Sequence, residues 1–539
     1  MNNKKNQNRY FRFVIGFLSM FLIFQLIGNF AFYMKERFDT EDNAKLQKLT
    51  YRDHTKEEEN FEDEEQYIVI GNSNSLFVEE VITKALDCSK NTYKVCKDFK
   101  EITEAIPSTL KAVFVCDSKG DLFKQKAYMK ILLNQGTHIV FLQLPDLSVI
   151  EENDMYDILG IDDNISFIKQ KGIRFVSDFL LGGIQDYEDL ICDIAWVKLR
   201  ATCKTYAYGL NQNTDNDIAN EDLPPIVWRN SYSNGQIFVI NGPFINQSFG
   251  YGIILGILAQ MQEDYLYPIV NGLTLVLEDF PYLENVNEQE LQRRYNHNAL
   301  GLQQDILIPS LISISKKYDM KPEFAMISDV DTIKGDRLKK TIQYYIREIK
   351  ALNGEIGTMI NGVPTYGETQ IVEWDKAAYF GQYNEKKTII PVIVDGVEFT
   401  DKERLSYYSI MTSLGLITQK IDMSDILYPE GDQDDWVNIS AKLETQIHRY
   451  RDEFSPIASL NITEMTNHIK NFQMIKPRIH YDDNVIKVQM DQLYGTGYFI
   501  LRTSKDIGNI VGGKYKVIEE NAYLIEADKN EMVIKLVAD

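Results

Sequence analysis

Adjacent carboxylates at the end of an apolar run are the chain's first sign of chemistry. Glu278-Asp279 closes such a run in Leu273–Leu283, which reads Leu-Thr-Leu-Val-Leu-Glu-Asp-Phe-Pro-Tyr-Leu. The run predicts a buried strand, and Pro281 cannot continue its ladder. An acid pair at the C-terminal end of a strand is where α/β barrel enzymes place catalytic groups. Asp329 and Asp331, in Ser328-Asp329-Val330-Asp331, close another expected strand, Glu323–Ile327. They are candidates for hydrogen bonds to sugar hydroxyls, or for helix capping. The nearest spare imidazole to the acid pair is His297, in Tyr295-Asn296-His297-Asn298, either a metal ligand or a surface histidine.

Other chemistry is weaker. Val115-Cys116-Asp117-Ser118-Lys119-Gly120 lacks the small flanking residues that a strained nucleophile elbow needs. Gly71-Asn72-Ser73-Asn74-Ser75 lies where doubly wound folds bind phosphate, but it has neither glycine-rich phosphate motif and reads as a structural turn. The five cysteines (Cys88, Cys96, Cys116, Cys192, Cys203) form no CxxC and no Cys/His cluster, and read as core residues. A Cys88–Cys96 bridge is conceivable only if the chain is exported.

The elements that must position these residues follow from periodicity. Residues 1–12 carry Lys4, Lys5, Arg9 and Arg12 ahead of Phe13–Met34, a stretch of 22 residues without a charge. About 20 apolar residues span a bilayer. The expectation is therefore a single-pass anchor over 13–34, N-terminus inside and bulk extracellular. Residues 35–66 form an acidic linker containing Glu57-Glu58-Glu59. Over 67–265, strands Tyr67–Ile70, Tyr93–Phe99, Ala112–Cys116 and His138–Leu142 alternate with helices, which implies a doubly wound parallel sheet. Its layout is similar to flavodoxin-like and amidotransferase-like domains. A hairpin through Ser233-Asn234-Gly235 and an apolar helix over Tyr251–Gln260 complete that part, with the boundary at Leu266–Pro268.

Over 266–470, repeated strand–helix units predict an incomplete (β/α) barrel. Over 471–539, short alternating strands predict an antiparallel β-sandwich. The fold class is thus α/β with a terminal all-β module. With 57 Lys+Arg against 79 Asp+Glu, the net charge is -22, which argues against a nucleic-acid partner and suits a cationic polymer or simply an acidic surface.

The barrel segment resembles the polysaccharide deacetylases. In that family a strand ends in two adjacent acids, and the resemblance makes Glu278 the general base and Asp279 a metal ligand. The second family motif, roughly Glu-Ile-Gly-Ser-His-Thr-x-x-His-Pro, is similar to Glu355-Ile356-Gly357-Thr358-Met359-Ile360-Asn361-Gly362-Val363-Pro364. Glu355, Ile356, Gly357 and Pro364 fit its frame, while Met359 and Val363 stand at the two histidine positions. By the same resemblance Trp436 corresponds to a late aromatic lining the acetyl pocket, and His448 to a late catalytic histidine. No counterpart of the family's Arg-x-Pro motif stands near Ile390-Pro391.

A catalytic zinc needs about three N, S or carboxylate ligands. Met359 and Val363 supply none suited to it, so no cofactor is expected. The order of parts resembles the deacetylase protein of Pel-type exopolysaccharide systems, in a Gram-positive membrane-anchored form. The expectation is a glycan-binding or glycan-guiding protein with an inactive deacetylase-like barrel. Its cleft candidates are Asp279, Asp329, Asp331, Glu355, Asn361 and Trp436; its partners are the membrane, a polysaccharide (an amino-sugar polymer among the candidates) and synthase subunits. Two other readings stay open. One is an active deacetylase using zinc or another divalent metal with Glu278, Asp279 and His448. The other is a scaffold of a synthase complex without glycan contact.

Overall fold

The computed structural model describes residues 66–537, apart from 72–74, 105, 118–120, 212–217, 247, 281–285, 327–334, 361–362, 367–369, 376–379, 385–386, 430–434 and 492. All of these belong to one unit, Asn60–Asp539. The expected single-pass membrane placement is corrected: among the described residues no helix is long and apolar enough to cross a membrane. The stretch that suggested it, 13–34, lies outside the described residues, as does the acidic linker up to residue 65.

The first sheet has ten described strands. Tyr93–Cys96, Tyr67–Ile70, Ala112–Val115, His138–Phe141 and Gly235–Ile240 run parallel, in that spatial order. Both faces are covered: Tyr67 and Val69 point into one core cluster, Ile68 and Ile70 into the other. That is why these strands read as continuous apolar runs. Beyond Gly235–Ile240 the sheet turns antiparallel, through Pro225–Tyr232, Cys203–Asn211, Ile161–Phe175, Asp186–Tyr187 and Cys192–Leu199. Periodicity did not reveal most of this extension. The Glu79 carboxylate occupies the space a Cβ at Gly71 would need. Cys116 is buried, which pushes its thiol up and keeps it protonated. All five cysteines are free thiols.

The central sheet holds nine described strands. Their order is Gln382–Tyr383, Lys387–Pro391, Gln370–Asp375, Val363–Tyr366, Glu355–Ile360, Pro322–Met326, Gly272–Phe280, Leu416–Asp422 and Val394–Asp395. This is a mixed sheet, with antiparallel pairs among the parallel ones; an incomplete (β/α) barrel was expected. Glu355–Ile360 and Val363–Tyr366 pair antiparallel, Ile360 opposite Val363. Asn361-Gly362, between them in sequence, is a dipeptide suited to tight hairpins, and a hairpin returns the chain where a parallel neighbour would need a helical crossover. The extended stretch from Lys387 to Asp395 touches both ends of the path, pairing first with Gln370–Asp375 and then with Leu416–Asp422.

The C-terminal module is two four-stranded antiparallel sheets around Leu266, Val488, Phe499, Leu501, Ile525 and Ile534. Asp264–Ile269, which includes the expected boundary, is one of its strands and pairs with Gly497–Thr503. Helix Ile462–Met474 links this module to the central sheet. His468 on that helix stacks on Tyr498 at 4.7 Å, and its Nδ1 faces the carbonyls of Val270 and Asn271 at 3.1 and 3.0 Å. Two acceptors require Nδ1 to carry the hydrogen.

Burial holds the His468 imidazole below its ordinary pKa, outweighing the pull of those carbonyls. A depressed histidine stabilises the fold above its unfolded pKa of about 6.5 and loses that contribution as pH falls. We expect stability to drop on acidification through this range, and His468→Gln to remove part of the slope. Urea denaturation at stepped pH checks this; identical slopes would contradict it.

Candidate functional site

The strand Gly272–Phe280 is fully buried until it reaches the acid pair, where Glu278 and Asp279 are partly exposed. Its register with Pro322–Met326 slips between Leu277 and Phe280, so one extra residue is inserted there. Asp279 takes up the insertion with φ +57°, a left-handed conformation that aspartate tolerates better than most residues. Such a bulge bends the strand and re-aims the side chains at its end. Phe280 anchors it, edge-on to Phe324 at 4.8 Å and tilted against Tyr345 at 5.6 Å.

The neighbouring strand supplies the charges. Leu416–Asp422 runs parallel, with Lys420 opposite Val276 and Asp422 opposite Glu278. Lys420 Nζ lies 2.6 Å from Glu278 Oε2, with the two side chains only 13% and 19% exposed. On the other flank Asp395 pairs with Lys420 across the ladder. Burial works against the Lys420 ammonium, but the hydrogen bond and charge of Glu278, with Asp395 and Asp422, more than compensate and raise its pKa. Burial raises the Asp279 carboxyl, and the negative charges of Asp422 and Glu278 raise it further against the pull of Lys420. Asp422 caps helix Met423–Leu427, its Oδ1 accepting from Ser424 N at 2.8 Å and Ser424 Oγ at 2.6 Å.

The structure therefore brings Glu278 and Asp279 together with Lys420, Asp422 and Asp395, none of which the sequence singled out. A lysine and an aspartate two residues apart at a strand end were the available signal. The other candidates are dispersed. Glu355 starts its strand, in the row of Glu323 and Val276 and two residues short of Glu278. Its carboxylate is engaged by Thr463, from N at 2.8 Å and Oγ1 at 2.5 Å. The backbone register sets Thr358 level with Met326 and Phe280, so the 358–359 step lies at the height of the acid pair.

Trp436 is buried in the core, its backbone N–H donating to Tyr295 Oη at 2.8 Å. His448 is exposed on helix Trp436–Glu453, beside Tyr318 at 5.8 Å. Tyr318 precedes strand Pro322–Met326, so His448 sits at the end of the sheet opposite Glu278. His297 has Nδ1 at 2.7 Å from the Tyr295 carbonyl and Nε2 at 3.5 Å from Asp305 Oδ2. Asp329, Asp331 and Asn361 lie outside the described residues, as do the side chains of Met359 and Val363.

The rim does not fit the metal that the deacetylase resemblance implies. Of the four carboxylates gathered there among the described residues, Glu278 is bonded to an ammonium, Asp422 to a helix cap, and Asp395 stands opposite Lys420 across the ladder. Among the described residues that leaves Asp279, and catalytic zinc needs about three protein ligands. Among the described residues no group of three or more His, Cys, Asp or Glu side chains is arranged to hold a metal ion.

A family described as "Uncharacterised protein conserved in bacteria (DUF2194)" matches residues 197–358 and 365–524. None of the curated proteins matches the sequence. Among solved structures, that of Agd3, a carbohydrate deacetylase, superposes with a TM-score of 0.52 at 8% identity, covering 88% of this chain and 99% of its own. The likeness is one of fold, a deacetylase-like mixed α/β architecture. A protein described as thua-like from Bacteroides uniformis overlaps 39% of this chain and 96% of its own, at 10% identity and a TM-score of 0.28. The GH42 β-galactosidase Gan42B from G. stearothermophilus overlaps 33% of this chain and 27% of its own, at 12% identity and a TM-score of 0.23. Overlaps that weak assign nothing.

Proposed function

We propose, on the premise that this chain belongs to the DUF2194 family of uncharacterised proteins conserved in bacteria, that it binds a carbohydrate polymer at the rim of its central sheet. The observation that carries this reading is the bulged strand end: it presents Asp279 beside Glu278, Lys420 and Asp422, in a fold shared with a carbohydrate deacetylase along most of the chain. Partly exposed carboxylates next to a lysine offer acceptors and donors to sugar hydroxyls and amines, in a chain of net charge -22. Hydrolysis is not part of the proposal, because Glu278 is bound to Lys420 and His448 lies at the other end of the sheet. The finer reading is a role in exopolysaccharide biosynthesis or export of the Pel type, alongside a polysaccharide synthase. It rests on the resemblance and on the order of the doubly wound, deacetylase-like and sandwich parts.

Calorimetry with acetylated and free-amine hexosamine oligomers, at low and moderate salt, tests it. We expect saturable binding by the wild-type chain, an affinity loss of about tenfold or more in Asp279→Ala, roughly 1.4 kcal/mol, and no release of acetate. Absence of binding to both oligomer types would sink the proposal. Acetate release that depends on Glu278 would instead establish the active-deacetylase reading.

A further inference from the structure

We infer that Lys420 is the resident cation of the acidic rim, a tethered ammonium standing in the electrostatic place that a divalent metal takes when a rim of this kind is metal-dependent. Three placements argue for it. Glu278, the carboxylate at the end of the central strand, gives its Oε2 to Lys420 Nζ at 2.6 Å, and both side chains are more than four-fifths covered. Asp422 and Asp395 flank the lysine through strand register, one opposite Glu278 and the other opposite Lys420 itself, so the backbone ladder sets the negative surroundings of the ammonium. Asp422 Oδ1 accepts from Ser424 N and Oγ at the start of the next helix, which ties that carboxylate to the fold.

A divalent ion entering here would have to displace an ammonium that is already hydrogen-bonded and covered. Among the described residues it would find Asp279 beside carboxylates already engaged by Lys420 or by the helix cap, where a stable site needs about three ligands. A lysine ammonium cannot leave as a water can, because it is covalently tethered to the strand and its side chain is only 13% exposed. The ammonium therefore offsets the charge of the carboxylates at all times, and the rim is built to work without metal. The glycan reading is needed only to say what the rim serves; the cation assignment stands or falls by itself.

The experiment is a titration of the purified chain with Zn²⁺ and Mn²⁺, read by calorimetry, by elemental analysis after dialysis, and by thermal melting. The wild-type chain should retain less than a tenth of an equivalent of either metal and show no shift in melting temperature. Lys420→Met should bind one ion per chain at least about tenfold more tightly than wild type, and melt higher in its presence, because Glu278 is released to join Asp279. Lys420→Arg, which keeps the charge, should behave as wild type. If Lys420→Met does not fold, Lys420→Gln takes its place, and the wild-type titration decides independently. Stoichiometric metal on the wild-type chain would overturn the inference, as would a folded Lys420→Met or Lys420→Gln that gains no metal affinity. Failure of glycan binding with this metal pattern intact would remove the proposed function and leave the cation assignment standing.

Discussion

Glu323→Gln should flatten the dependence of stability on pH and make the chain more stable than wild type in neutral and alkaline solution. Glu323 is completely buried on strand Pro322–Met326, between Val276 and Glu355 in adjacent strands. Its Oε1 accepts from the Glu355 N–H at 3.1 Å, and the Ile462 backbone N–H also favours the charged carboxylate, though neither offsets its burial. Tyr366, buried close enough to feel its charge, has a hydroxyl without a partner among the described residues. Burial, and then the Glu355 charge, push the Glu323 carboxyl well above the usual carboxylate range.

The sign follows from proton counts. A raised carboxyl keeps its proton in the folded state while the unfolded chain releases it above about pH 4.3. Stability is then fully present below that pH and falls as pH rises toward the folded pKa, by at most about 1.4 kcal/mol per pH unit. Glutamine has the same shape, accepts the Glu355 N–H and never ionises, so this loss should vanish. Glu323→Ala should instead cost about 3 kcal/mol, from a cavity and an orphaned Glu355 N–H. Urea denaturation of the three chains between pH 5 and 9 checks both outcomes; parallel stability curves for wild type and Glu323→Gln would refute the account.

Gly252→Val should be the most damaging single change at the junction between the doubly wound part and the central sheet. Gly252 lies in the first turn of helix Gly250–Met261, which packs against helix Asp401–Leu414. A Cβ there would lie 2.5 Å from Ser409 Cα and 2.6 Å from Ser409 Oγ, a distance that backbone cannot yield without the helices parting. The same contact is also polar. Ser409 Oγ accepts the Gly252 N–H at 2.8 Å and donates to the Phe249 carbonyl at 2.9 Å, so one helix caps the start of another. The first N–H groups of a helix lack partners within it, and a serine oxygen satisfies one.

Overpacking costs about 1–3 kcal/mol, and loss of a cap adds about 1 kcal/mol. We therefore expect a combined loss of about 2–4 kcal/mol for Gly252→Val and about 1 kcal/mol for Ser409→Ala. Calorimetric melting, with hydrogen exchange on both helices, measures this. An unchanged midpoint for Gly252→Val would show that the helices do not pack as described.

Local pattern carried much of this molecule. The apolar run Leu273–Leu277 announced its strand because both faces are buried, and the run Tyr251–Gln260 announced its helix for the same reason. Gly497–Thr503 and Tyr67–Ile70 were legible as strands, since one chain segment contains all the information needed to alternate or fill faces. The antiparallel extension between Ile161 and Asn211 was not, because its strands are bulged and partly exposed, which blurs the period. The antiparallel pairing of Glu355–Ile360 with Val363–Tyr366 was not read from the sequence, where that segment was matched only to a motif frame.

By itself, then, the sequence determined that an acid pair ends a buried strand in an acidic α/β chain. What that pair does was decided by contacts across 142 residues, where a parallel register brought Lys420 to Glu278. Register is a property of two strands packed together, and neither strand encodes it alone. The bulge that turns Asp279, the helix cap that holds Asp422 and the distance of His448 from the rim are of the same kind. Residue types supply the charges, while the tertiary ladder chooses which of them meet.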